Sequence, residues 1–169
     1  MKTLGDMIVS TTLKDQSVEK HRIAARGIIY NEGKVLMIYS SFYNDATFPG
    51  GGVENGEDVI VALERECSEE AGVIVKNIRP FYKTIEKREL DSESYLIHES
   101  HFFLCDVAKL VKQHLESYEV ALGYQPVWMK IEEAIVMNTA KMSKLNDTDY
   151  KGVLERELRI LKKLKENGF

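Results

Sequence analysis

Two runs rich in β-branched and apolar residues open the ordered part of the pattern, RIAARGIIY (22–30) and GKVLMIYS (33–40). Asn31-Glu32-Gly33 between them is a hairpin signal, so the pair predicts two antiparallel strands. SSFYNDATFPGGG (40–52) lacks a period and reads as an aromatic loop leading into a turn. Residues 57–71 predict a helix: at about 100° per residue, Ile60, Leu63, Cys67 and Ala71 fall in one narrow stripe. Gly72 stands where a left-handed cap ends a helix. Strand patterns return in VIVKNIRPFYKTIEKR (73–88), SYLIHESHFFLCDV (94–107) and QPVWMKI (125–131), the last feeding a short helix, EEAIVMNTA. Residues 147–167 carry a clear helical period that brings Tyr150, Leu154, Leu158, Leu161 and Leu164 near one face. A mixed sheet with helices packed on it follows, an α/β or α+β domain.

Composition narrows the class. At 169 residues, with 44% hydrophobic and 30% charged residues, the chain is expected to form a single soluble domain, with 1–20 as an N-terminal extension. A formal net charge of −4 argues against a nucleic-acid polymer as partner, while small phosphate ligands need only local charge. Cys67 and Cys105 sit in apolar contexts and read as buried thiols of a reducing compartment. MKTLGDMIVSTTLKDQ is too polar for a signal peptide and no apolar run reaches spanning length. The expectation is a cytoplasmic monomer or homodimer with no membrane partner, for which the formal sequon Asn146-Asp147-Thr148 means little.

The chemistry concentrates in FPGGGVENGEDVIVALERECSEEAG (48–72). Between Glu54 and Glu70 stand seven carboxylates and one base, Arg65. Like charges this close raise one another's cost of ionisation. On the predicted helix, Glu66, Glu69 and Glu70 fall within an arc of about 100° beside the apolar stripe, on two successive turns. A solvated acidic face is the ordinary reading of such a helix. Here the acids converge rather than alternate with lysines, and intrahelical pairing is nearly absent, since Arg65 reaches Glu69 but cannot serve all three. A glycine run beside them lets backbone approach a ligand. Hard oxygen donors on a rigid element suit Mg²⁺ or Mn²⁺.

Gly51, five residues, Glu57, seven residues, then Arg65-Glu66-Cys67-Ser68-Glu69-Glu70-Ala71-Gly72-Val73 resembles the signature box of the Nudix hydrolases at every fixed position. FPGGG before it and PVWMKIEEAI after it resemble the usual surroundings more loosely. The resemblance implies an α/β/α sandwich around a mixed sheet and a Mg²⁺-dependent pyrophosphohydrolase. Its substrate would be a small nucleotide: a nucleoside diphosphate linked to another moiety, such as a nucleoside triphosphate, a nucleotide sugar or a dinucleoside polyphosphate. A catalytically silent nucleotide-binding sensor of the same fold is the alternative. Carried over residue by residue, Glu66, Glu69 and Glu70 become metal ligands or activators of water, and the Gly50 carbonyl a further ligand. Glu57 and Arg65 brace the loop and helix, with Glu57 also near the metal and Arg65 a candidate substrate contact. Such a site neutralises the diphosphate and lowers the pKa of a bound water.

Outside the box the assignments stay open. A further acid or base is sought in the loop after the box; Glu119 is favoured over Glu116, Glu86 and Glu99, against the plain reading of an exposed carboxylate. Tyr43 and Phe48 are the aromatic candidates for substrate contact, and Phe42, Tyr124 and Trp128 also have faces on which a base stacks. Core packing is the expected role of Phe48 and Trp128. His98 and His101, three apart in a strand, face opposite sides and are read as structural.

Overall fold

The computed structural model of the chain describes residues 1–10, 18–146 and 148–169. Its elements run β1 (Lys2–Thr3), β2 (Ile8–Ser10), β3 (Val18–Asn31), β4 (Lys34–Ser40), β5 (Asp45–Thr47), β6 (Gly50–Gly52), α1 (Val59–Ala71), β7 (Val73–Glu89), β8 (Ser94–Leu110), α2 (Ser117–Ala121), β9 (Tyr124–Lys130), α3 (Ile131–Met142) and α4 (Thr148–Glu166). The strands join in one mixed sheet ordered β1-β7-β8-β3-β4-β5, with β2 on β7, β6 on β3 and β9 on β4. β3 and β8 are parallel, and the long β7–β8 pair is antiparallel.

The expected hairpin is present: Glu32 and Gly33 both have positive φ (48° and 79°), the two-residue turn whose twist matches its strands. Beyond this turn β3 parts from β4 and takes β6 as neighbour, Ala24–Arg26 opposite Gly50–Gly52. The segment 40–52, expected as a loop, thus holds two short strands; backbone pairing supplied by β3 and β4 does what local sequence did not signal. α1 starts at Val59, two residues later than the pattern suggested. There Asp58 Oδ1 caps the Ile60 amide at 2.8 Å, and Gly72 closes the helix at φ 66°. Part of the segment expected as an extension, Lys2–Thr3 and Ile8–Ser10, adds parallel strands to β7. Asp147, shared by the formal sequon and the expected start of the last helix, lies outside the described residues.

Two cores hold the sheet between helices, the α/β/α layering. Ala62, Leu63, Cys67 and Ala71 of α1 pack on one face with Ala25, Ile29, Phe103 and Cys105. Ile131 and Ala134 of α3 and Ile160, Leu161 and Leu164 of α4 cover the other with Ile28, Met37, Phe48 and Phe102. Both cysteines are free and buried. Trp128, expected in the core, is about a third exposed on β9, which pairs with β4 and leaves this side chain on the outer face. Among the described residues no helix is long and apolar enough to cross a membrane.

Candidate active site

The glycine strand β6 is a ledge between groups of opposite charge. The Gly50 amide donates to Glu70 Oε2 at 2.7 Å. A Cβ on Gly51 would meet Glu66 Oε1 at 2.5 Å, and one on Gly52 would meet Arg22 Nη2 at 2.4 Å. Gly51 and Gly52 are therefore bare because a charged side chain lies against each. The ledge borders a cavity of about 700 Å³ that Glu66, Glu69 and Glu70 line together with Glu116, Glu119 and Tyr43.

Arg65 organises the acids. Its Nε and Nη2 meet Glu57 at 3.0 Å each, Nη1 meets Glu66 Oε1 at 2.7 Å and Glu69 Oε2 at 3.3 Å, and Nη2 also meets the Gly52 carbonyl at 3.1 Å. All five donors of the guanidinium are engaged. Intrahelical pairing is thus not nearly absent, as the sequence suggested. Arg65 is a brace between β6, the loop and α1, and it has no N–H left for a substrate phosphate. Its hydrogen bonds, followed by the Glu54 amide, hold the Glu57 carboxyl below its ordinary range, and Glu57 does not line the cavity.

Glu70 differs from its neighbours. It is 7% exposed, and burial raises its pKa; the Gly50 amide and Arg26 oppose the rise, while Glu66 and Glu119 add to it. Burial likewise raises Glu66, with Arg65 opposing. Among the described residues no three ligating side chains close on one point as they stand, since Arg65 draws Glu66 and Glu69 to itself. The donor set is nevertheless all hard oxygen: the three α1 carboxylates, Glu119 and the Gly50 carbonyl. That chemistry fits Mg²⁺ or Mn²⁺.

Glu119, weighed as an exposed loop acid, is 4% exposed on the short helix α2 and lines the cavity. Its two oxygens accept from the Glu116 amide at 2.7 Å and the Tyr118 hydroxyl at 3.1 Å. Glu99 instead pairs with Lys83 at 2.7 Å and with His101, and Glu86 is buried behind the cavity wall. Phe48 is fully enclosed, edge-on to Phe102 at 5.7 Å, so no face of it is open to a base. Its backbone matters more, the carbonyl accepting from Arg26 and the amide donating to Glu157. Tyr43 does line the cavity, stacked on Tyr150 at 4.5 Å, with Tyr124 beside them.

Arg22, Arg26, Arg88, Arg156 and His98 also line this cavity. The sequence pattern singles out none of these four arginines, and His98 is structural in it. The period-two spacing of Arg22, Ala24 and Arg26 was a usable signal for two cations on one strand face. Arg156, hidden in an amphipathic helix, carried none. Arg26 donates to the Phe48 and Gly50 carbonyls at 3.2 and 3.1 Å; burial, then the charge of Arg156, lowers its pKa to about 10, leaving it cationic.

The sequence model of the NUDIX domain matches residues 20–150. Nudix hydrolase 18, mitochondrial, of Arabidopsis thaliana is 36% identical over 114 residues, 67% of this chain and 60% of that protein. Diphosphoinositol polyphosphate phosphohydrolase 3-alpha of Mus musculus is 34% identical over 107 residues, 62% of this chain and 59% of its own length. The chain therefore spans about 60% of the length of these curated relatives. In fold it is similar to a NUDIX hydrolase from Nitrosomonas europaea (TM-score 0.54, 20% identity, 71% of this chain and 79% of that one). It is also similar to a MutT NUDIX hydrolase from Burkholderia pseudomallei (TM-score 0.50, 18% identity, 67% and 85%).

Proposed function

The chain belongs to the NUDIX family, and from that premise we propose that it hydrolyses a phosphoanhydride bond in a small phosphorylated molecule, with Mg²⁺ or Mn²⁺ at Glu66, Glu69, Glu70 and the Gly50 carbonyl. The observation that carries this reading is the pinning of buried Glu70 to the Gly50 amide, beside Glu66 and within the cavity that Glu119 also lines. A divalent ion so held supplies charge neutralisation and a more acidic water. The chain's own groups do the rest. Arg65 and Glu57 lock β6 to α1, so the carboxylates keep their aim at the ledge. In the reaction a water oxygen bonds to phosphorus, the bridging P–O bond breaks, and the water's proton passes to a carboxylate. Glu119, oriented by the Glu116 amide and the Tyr118 hydroxyl, is the candidate acceptor.

Tyr43, Tyr124 and Tyr150 support a nucleoside group at the cavity wall, since an aromatic face accepts any base. The relative named for diphosphoinositol polyphosphates favours a second class, a phosphorylated polyol, and the arginines agree with it. A cytoplasmic location and a monomeric or homodimeric state belong to the same proposal. The test is a panel of nucleoside triphosphates, nucleotide sugars, dinucleoside polyphosphates and diphosphoinositol polyphosphates, incubated with Mg²⁺ and the products identified by mass. Turnover by wild type and not by Glu70→Gln is expected. Silence on the whole panel would instead favour a nucleotide-binding sensor.

A further inference from the structure

His98 presents a buried hydrogen-bond donor that nothing in the described protein accepts. Arg88 Nη2 lies 2.5 Å from His98 Nδ1. A guanidinium only donates, so Nδ1 must bring its lone pair, and the proton of the neutral ring sits on Nε2. Burial, together with the charges of Arg156, Arg88, Arg26 and Arg22, pushes His98 down to about 2, which keeps the ring neutral. His98 is 5% exposed, and its Nε2 has no partner.

The surroundings point to what is missing. Arg26 Nε is a second buried donor without a partner. Arg22, its guanidinium over Gly52, pairs with no carboxylate among the described residues. Arg156 is held from behind by Glu157 at 2.7 Å and Glu86 at 3.7 Å, and neither of these acids lines the cavity. A water would satisfy the N–H groups and leave Arg22 without a counter-charge. An anion with several acceptor oxygens answers both.

We propose that Arg22, Arg26, Arg156 and the Nε2–H of His98 form a second phosphate site, so that the substrate carries a phosphate group beyond the diphosphate cleaved at the glutamates. The inference rests on the hydrolytic reading above and narrows it to polyphosphorylated substrates. The extra group sits either further along the same phosphate chain or on a separate carbon of a polyol.

The two sources separate in binding experiments that need no catalysis. Inorganic tripolyphosphate and inositol hexakisphosphate are titrated into the protein in EDTA at fixed salt and followed by calorimetry. At least one should bind wild type, and the one that binds names the source. Arg22→Gln, a change at an exposed side chain, should weaken that binding about tenfold or more; His98→Phe, which removes the donor, should weaken it in the same direction. Arg79→Gln, outside the cavity, should bind as wild type does. No binding of either anion, or equal losses in Arg22→Gln and Arg79→Gln, would overturn the proposal. Turnover of wild type in Mg²⁺ is measured alongside. Turnover without anion binding overturns this site and spares the hydrolytic reading; anion binding without turnover does the reverse.

Discussion

Gly50 and Glu70, twenty residues apart, are joined by a 2.7 Å hydrogen bond from the glycine amide to Glu70 Oε2. It ties the β6 ledge to the helix that carries the acids, and it forces a carboxylate with raised pKa to stay buried beside Glu66 and Glu119. Gly50 adopts φ 140°, and a Cβ there would meet the Ala25 carbonyl oxygen at 2.1 Å. The position of the buried acid therefore depends on a residue that has no side chain.

Glu70→Gln should lower turnover by at least about 10²-fold, as the loss of a catalytic group does. The amide oxygen still accepts from Gly50, so the fold should persist. Phosphate release in Mg²⁺, with circular dichroism on the same samples, checks both halves. A near-normal rate in limiting Mg²⁺ would remove Glu70 from the site.

Two alanine substitutions on the ledge should fail differently. In Gly50→Ala the new methyl strikes backbone at a strained φ, and melting should fall sharply. In Gly51→Ala the methyl meets the Glu66 carboxylate, the end of a flexible side chain, so stability should change little while activity and metal affinity drop. Thermal melts and Mg²⁺ titrations of the pair distinguish the outcomes; equal melting losses would contradict the assignment of Glu66 to the ledge.

Metal should stabilise the native state by mass action. At a hundredfold excess over the dissociation constant, Mg²⁺ or Mn²⁺ contributes ~2.7 kcal/mol and raises the melting temperature by several degrees. A Glu66/Glu69/Glu70 triple Gln variant, which loses the Arg65 ion pairs to Glu66 and Glu69, should gain nothing from metal. Sodium chloride at matched ionic strength screens charge without coordination and should not reproduce the shift. Equal metal-induced shifts in both proteins would locate the cations elsewhere.

His98 should make stability fall on the acid side. Its pKa is about 2 in the folded protein and about 6.5 when unfolded. Between those values the unfolded chain binds a proton that the native ring refuses. This contribution is complete above about pH 6.5 and declines below it, with a slope approaching about 1.4 kcal/mol per pH unit. Urea unfolding of wild type and His98→Gln at pH 7.5, 6.5 and 5.5 reads the difference. The variant should lose less stability on acidification, and identical pH profiles would contradict a buried neutral ring.

The acid helix was legible in the chain because its signals are local: a period of 3.6, Gly72 at its end, and Glu66, Glu69 and Glu70 on successive turns. The Glu32-Gly33 hairpin was legible for the same reason, a turn being a property of its own residues. β5 and β6 were not. Their short segments are strands only because β4 and β3 offer unpaired backbone alongside. The engagement of all five Arg65 donors needed the loop at Glu57 and the Gly52 carbonyl folded back onto the helix. Glu119 looked like a surface acid until α2 closed over the cavity. The arginine wall collects residues from β3, β7 and α4, separated by as many as 134 positions between Arg22 and Arg156. Its members meet because the sheet runs β7-β8-β3, with α4 laid across these strands. The sequence alone determined which carboxylates stand together on α1, since one helix spaces them; the tertiary structure alone decided which cations face them, since only packing brings distant charges into one cavity.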